Sequence, residues 1–271
     1  MLYLLLSVLC SVTIANLLMR FNRKGRRSIL PVFLGNYMVA GIFSFAAMPS
    51  RQLNLPLFDL VLGILTGAFF LLNFWVYQRS IVINGLSLSV GVMRISMIIP
   101  VILAVIFFQD KLNAFSIAGI ITGLAAFGLR ANLKELHNLL WLLGLFAVSG
   151  LTDASLKIFK ELGSGMEAGF IAIIFSSAFV FTLGAILLGR LPIPLSSLIF
   201  GCLLGIPNRY STVFFLKGLD SVPASIAYPL VAVAIMLLSI LSDLLIWKKQ
   251  AKARDAILWA LLIISLILLN L

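Results

Sequence analysis

The chain has 271 residues, of which 62% are apolar and only 11% charged, with a formal net charge of +11 and a mean hydropathy of +1.17. A soluble domain carries roughly a quarter charged residues, so this composition excludes a soluble globular domain and describes a chain solvated by lipid. The bases lie mostly between apolar runs and form no single soluble face, which excludes a nucleic-acid-binding surface and leaves anionic lipid headgroups as their partner.

A bilayer core of roughly 30 Å takes about 20 apolar residues per helix. Runs of that size fall, in chain order, at 1–20, 30–48, 57–78, 84–107 and 113–130, and then at 139–158, 166–188, 196–217, 222–246 and 255–271. The first run starts at Met1 without a basic leader or a small-residue cleavage site, so it is expected to be a retained first span. Pro49 and Pro56, Asn84-Gly85, and Pro192 with Pro194 punctuate the runs. No segment shows the alternation of a barrel strand. The expected fold is therefore an all-α integral membrane protein of ten transmembrane helices.

The second half repeats the first. A slide of 138 positions puts Gly63 on Gly201, Gly67 on Gly205, Arg79 on Lys217 and Ser87 on Ser225, and a slide of 137 puts Asn16 and Arg20 on Asp153 and Lys157. Two five-helix repeats, 1–132 and 133–271, follow; because five is odd, the second enters the membrane in the opposite sense, giving inverted repeats related by a pseudo-two-fold axis in the membrane plane. Glycines four apart recur at Gly63/Gly67, Gly119/Gly123, Gly165/Gly169 and Gly201/Gly205, the spacing that lets helix backbones approach. Pro100, Pro207 and Pro229 fall inside spans four, eight and nine, where each removes a backbone hydrogen bond and favours a kink.

The chemistry rests on a few polar residues inside spans. Arg94 lies about ten residues into span four, where an arginine costs roughly 2.5–3.5 kcal/mol on insertion scales, so it needs water, an acid or a ligand. Arg209 lies in span eight beside Asn208 and Tyr210, and Asp153 in span six is the most deeply embedded acid. Lys157, one turn after Asp153, is placed either to pair with it or to snorkel to the interface. Asn16, Asn36, Asn73, Tyr77 and Tyr228 supply polar company. Asp59, Asp110, Asp220 and Asp243 fall at or near span ends, where solvation is expected. Cys10 and Cys202 sit far apart in apolar runs as packing residues, and His137 is alone, so neither a metal site nor a cofactor is expected. One histidine, no paired embedded carboxylates and no phosphate-binding Gly-rich loop argue against an intramembrane enzyme and against a nucleotide-driven pump.

These residues carry a resemblance. Ten spans in two five-helix repeats, the aromatic helix end Phe74-Trp75-Val76-Tyr77, the turn Asn84-Gly85-Leu86-Ser87, Pro100, and Gln109-Asp110-Lys111-Leu112 resemble the drug/metabolite transporter superfamily, EamA type. So do their second-half counterparts Phe214-Phe215-Leu216-Lys217, Val222-Pro223-Ala224-Ser225 and Pro229-Leu230-Val231, with Gly150–Lys157 and Leu204–Asn208. The resemblance covers nearly the whole chain, and its motifs specify architecture better than substrate. It implies a secondary transporter in a bacterial inner (plasma) membrane that moves amino acids, other metabolites or drugs by alternating access. It also implies a central cavity bounded by spans one to four and six to nine. Candidate substrate-binding residues are then Arg94, Asn16, Asn36, Asn73, Asp153, Asn208, Arg209 and Tyr228, the arginines favouring a carboxylate or phosphate and Asp153 suited to carry a coupled proton or ion. A carrier or flippase for an anionic lipid is the alternative, with the basic connections holding a headgroup. One departure is Lys248-Lys249, where family members carry an acid after helix nine.

Of the Lys and Arg outside spans, 13 fall on the face of the odd-numbered connections and 5 on the other. The positive-inside rule places the first face in the cytoplasm and, with an even number of spans, both termini outside, opposite to the orientation the resemblance implies. Cysteines introduced at Lys24 and Lys252 should be shielded from a membrane-impermeant maleimide in intact cells and react after permeabilisation; labelling of both from outside would reverse the assignment.

Overall fold

A computed structural model describes residues 1–22, 29–49, 54–130, 136–248 and 253–271, and within them regular structure is entirely helical. Lys24 and Lys252 lie outside the described residues. In chain order the helices are α1 (Leu2–Asn22), α2 (Leu30–Ala46), α3 (Leu57–Asn84), α4 (Leu86–Ile95), α5 (Ile98–Phe107) and α6 (Ala114–Arg130). They continue with α7 (Leu139–Leu162), α8 (Glu167–Leu188), α9 (Leu195–Gly218), α10 (Ala224–Leu245) and α11 (Ala253–Leu269). Seven segments are long and apolar enough to cross a membrane, and three further apolar helices of 10–17 residues fall where spans two, five and ten were expected. Leucines and isoleucines stand out on the surface, with Leu188 90% and Leu140 76% exposed, as lipid requires and water would not tolerate. By length and composition the chain is a multi-pass membrane protein.

Span four departs from expectation by dividing into α4 and α5. The division falls at Ser96–Met97, just upstream of Pro100, because proline has no N–H for the Ser96 carbonyl and its ring crowds that group. The backbone tightens instead: Met97 N–H donates to Arg94 O at 3.3 Å and Ile99 N–H to Ser96 O at 3.0 Å, while Ser96 Oγ donates to Met93 O at 2.7 Å. Gly85, at φ +77°, turns the chain between α3 and α4, a conformation L residues with a Cβ rarely adopt. Buried Asn84 beside it accepts the N–H of His137 and of Asn138 and donates to Asn138 O, so the turn is held from the connection before α7.

The chain forms two compact units, each drawing on both halves of the sequence: residues 1–71 with 158–218, and residues 72–157 with 219–271. In the first, α2 packs on α8 and α9, and α1 on α9. Its helices cross at glycines. A Cβ on Gly201 would overlap Val32 O and lie 3.0 Å from Asn36 N, and one on Gly205 would lie 2.6 Å from Asn36 O and 2.8 Å from Val39 Cβ. A Cβ on Gly63 would lie 3.4 Å from Phe170, and one on Gly67 would lie 2.6 Å from Ile174 O and overlap Ser177 Oγ. The two crossings use matching positions, since Phe170, Ile174 and Ser177 each follow Val32, Asn36 and Val39 by 138 residues. In the second unit α6 and α10 pack on α11, α5 on α10 and α4 on α6, and Gly119 and Gly123 face Leu269 and Ser265 of α11. The pair Gly165/Gly169 does not act this way: Gly165 turns the connection before α8 at φ +77° with nothing near its Cβ position.

Gly201→Ala should lower the thermal midpoint of the detergent-solubilised protein, at a cost of about 1–3 kcal/mol for overpacking. Gly184→Ala, on α8 with open space around it, should leave the midpoint unchanged or raise it; equal effects of the two would show that the crossing does not set the helix separation.

Candidate functional site

In the second unit, four elements converge on embedded polar side chains. Arg94 is in the last turn of α4, immediately before the break, where the negative end of a half-helix favours a cation. It lies within electrostatic reach of Tyr77 on α3 and Asp153 on α7. Arg94 and Asp153 are both half-buried. Tyr228, buried near the start of α10, donates its hydroxyl to Asp153 O at 2.6 Å and also faces the Lys157 amide, lying across one turn of α7. Alongside, Ser149 Oγ of α7 donates to Asn73 Oδ1 of α3 at 2.7 Å. Arg94, Asp153, Tyr228 and Asn73 therefore belong to one unit, the first three at a single cluster joined by Tyr77.

One turn beyond Asp153, the structure corrects two expectations. Lys157 lies inside α7 and is buried; it neither pairs with Asp153 nor snorkels, but bonds Asp110 Oδ1 at 3.1 Å and lies 5.3 Å from the Phe108 ring centre. Asp110 is not a solvated span-end acid: its other oxygen accepts the Ser225 N–H at 3.0 Å, meeting an orphan donor in the first turn of α10. This bond network ties the end of α5, α7 and α10 together. Asp59, also expected to be solvated, is 1% exposed in the first unit and accepts both the N–H and the hydroxyl of Ser164. Sequence position alone carries no signal for either acid, because both contacts join residues 47 or more positions apart.

The remaining candidates lie in the first unit. Asn208 Nδ2 on α9 donates to Asn36 Oδ1 on α2 at 3.2 Å. Arg209 is 7% exposed; its Nε donates to Ser44 Oγ of α2 at 3.1 Å and its guanidinium sits 4.9 Å from the Tyr210 ring centre. Asn16 donates to Val12 O in its own helix, one turn back. Ser11 Oγ and Ser211 Oγ lie 2.8 Å apart, joining α1 to α9. Among the described residues no three His, Cys, Asp or Glu side chains form a group able to hold a metal ion.

These ionisable groups lie in a chain whose described helices include seven long and apolar enough to cross a membrane. No family model matches the chain. It is similar to an uncharacterized protein of Haemophilus influenzae, 26% identical over 239 residues that cover 80% of this chain and 79% of the relative. It also superposes on a solved crystal structure with a TM-score of 0.79 and 16% identity, over 99% of this chain and 96% of that one, a likeness of fold.

Asp110→Asn should destabilise the protein by about 3 kcal/mol, because it removes the carboxylate that the buried Lys157 ammonium bonds. The double variant Asp110→Asn with Lys157→Met removes both charges and should recover much of that loss in thermal unfolding; an additive or larger loss would show that the two residues act separately.

Proposed function

We propose that the chain is a secondary transporter of the drug/metabolite transporter superfamily, EamA type, moving a small anionic or zwitterionic organic solute by alternating access across a bacterial inner membrane. The observation that carries this reading is Arg94 at the end of a broken half-helix, in electrostatic reach of an acid on another helix, inside an otherwise apolar chain. A membrane protein that needed only stability would be as well served by apolar side chains at these positions. Ionisable groups in spans, and helices interrupted in mid-membrane, characterise solute and ion pathways.

Duplication supports the same reading. The contacts Gly201–Val32 and Gly205–Asn36 have counterparts 138 residues away in Gly63–Phe170 and Gly67–Ile174. The polar pair Asn73–Ser149 has its counterpart in Ser211–Ser11 at the same offset. We infer two five-helix repeats, 1–132 and 133–271, inserted in opposite senses, the arrangement from which rocking transporters are built. In this scheme Arg94 meets the anionic group of the solute, and Asp153, released from Arg94 as that group binds, takes up a coupled proton.

In proteoliposomes fed a labelled metabolite panel, Arg94→Ala should abolish uptake while the protein still inserts and folds. Arg94→Lys should recover only part of it, since an ammonium lacks the forked edge of a guanidinium. Asp153→Asn should remove any dependence on a pH gradient. Unimpaired uptake in both Arg94→Ala and Asp153→Asn would end the reading, and activity confined to a labelled-lipid flip assay would replace the solute with a lipid.

A further inference from the structure

The two embedded arginines differ in one respect that matters chemically. Arg94 has an acid within electrostatic reach, so its charge is answered inside the protein. Arg209 has no such acid beside it: its side-chain partners are the Ser44 hydroxyl and the Tyr210 ring. Yet its side chain is more than nine-tenths buried in the interior of α9. A guanidinium carries five N–H donors and stays charged at any physiological pH. Only Nε is used, on Ser44 Oγ, and that hydroxyl is itself consumed in donating to Ala40 O at 2.7 Å. Neither Nη nitrogen bonds a described residue, and neither is among the fully sealed polar atoms that lack a partner. The Tyr210 ring against the guanidinium offers cation–π attraction, which lowers the cost of the charge without using an N–H.

We propose that Arg209 and Ser44 form a binding site for the carboxylate of a small organic monoanion. Ser44 holds Nε, so the side-on edge of the guanidinium is closed and the end-on edge, formed by the two Nη groups, is presented. Two parallel N–H groups match the two oxygens of one carboxylate. The charge selects among oxyanions: one uncompensated cation is neutralised by one negative charge, whereas a phosphate dianion would leave a second charge in an apolar span. Ser44 on α2 and Arg209 on α9 both belong to the first unit, and neither is part of the Arg94 cluster.

The test uses the full-length protein in detergent, with sodium benzoate as probe, benzamide as its uncharged isostere, and ionic strength held constant. Benzoate should raise the thermal midpoint saturably and benzamide should not. Arg209→Gln should abolish the shift, and Ser44→Ala should weaken apparent affinity about tenfold, the value of one charge-assisted hydrogen bond. Lys217→Gln, the same loss of charge at an exposed position of α9, should leave the shift intact. Should Arg209→Gln fail to fold, Arg209→Lys keeps the charge but not the fork, and should still bind several-fold more weakly. The proposal is overturned by the absence of a saturable benzoate shift, by an equal shift with benzamide, by one unchanged in Arg209→Lys and Ser44→Ala, or by inorganic phosphate binding more tightly than benzoate. Because the assay reads binding without transport, benzoate binding in a protein that moves no solute would sink only the transporter reading, and uptake without an Arg209-dependent shift only this one.

Discussion

Backbone polar groups that enter a bilayer must find their partners inside the protein, because lipid offers none, and side-chain polar groups come under the same pressure. That requirement accounts for the helices, for the serines and threonines that donate to carbonyls one turn back, such as Thr66 to Leu62 and Thr182 to Ala178, and for the connections between helices. Asn84 is spent on the backbone before α7, Asp110 on the first turn of α10, and Asp59 on the turn that carries Ser164. In each case a side chain near a helix end supplies what water would supply to a soluble protein. Lys157 shows the same rule applied to a full charge, which is met by a carboxylate and an aromatic face together.

Much of the architecture was legible in the sequence because lipid imposes a length and a hydropathy that need no tertiary context. All ten expected spans coincide with helices to within a few residues, except where α3 runs on to Asn84 and α7 to Leu162. Those extensions carry Arg79 and Asn84, and Lys160 and Glu161, polar and charged residues that a hydropathy reading trims. The interruption of span four was legible only as a kink at Pro100; its true place, at Ser96–Met97, follows from the carbonyl that the proline leaves without a donor.

The candidate site was legible in its parts and not in its pairings. Arg94, Asp153 and Arg209 stood out because charge inside a span is rare, and a single sequence is enough to see that. Which acid answers which base was not visible, since Asp110 and Lys157 are 47 positions apart and Asp153, one turn from Lys157, is the nearer and wrong choice. Ser44 gave no stronger signal than other serines of the chain, and its importance comes only from what the fold sets beside it. Arg94 and Arg209 illustrate two solutions to one problem, a cation kept in a span with an acid supplied by the chain, and a cation kept there without one.

The helices differ widely in length. At 1.5 Å per residue, α2 with its 17 residues reaches about 26 Å and α3 with its 28 about 42 Å, against a hydrocarbon layer of roughly 30 Å. The shorter helix fits best where the bilayer is thin; the longer must tilt or carry its ends into the headgroup region. The protein is thereby coupled to the thickness of its host membrane. Lipids with longer acyl chains strain α2 while relieving α3, so acyl-chain length becomes a variable that acts on this fold without touching any of its polar groups.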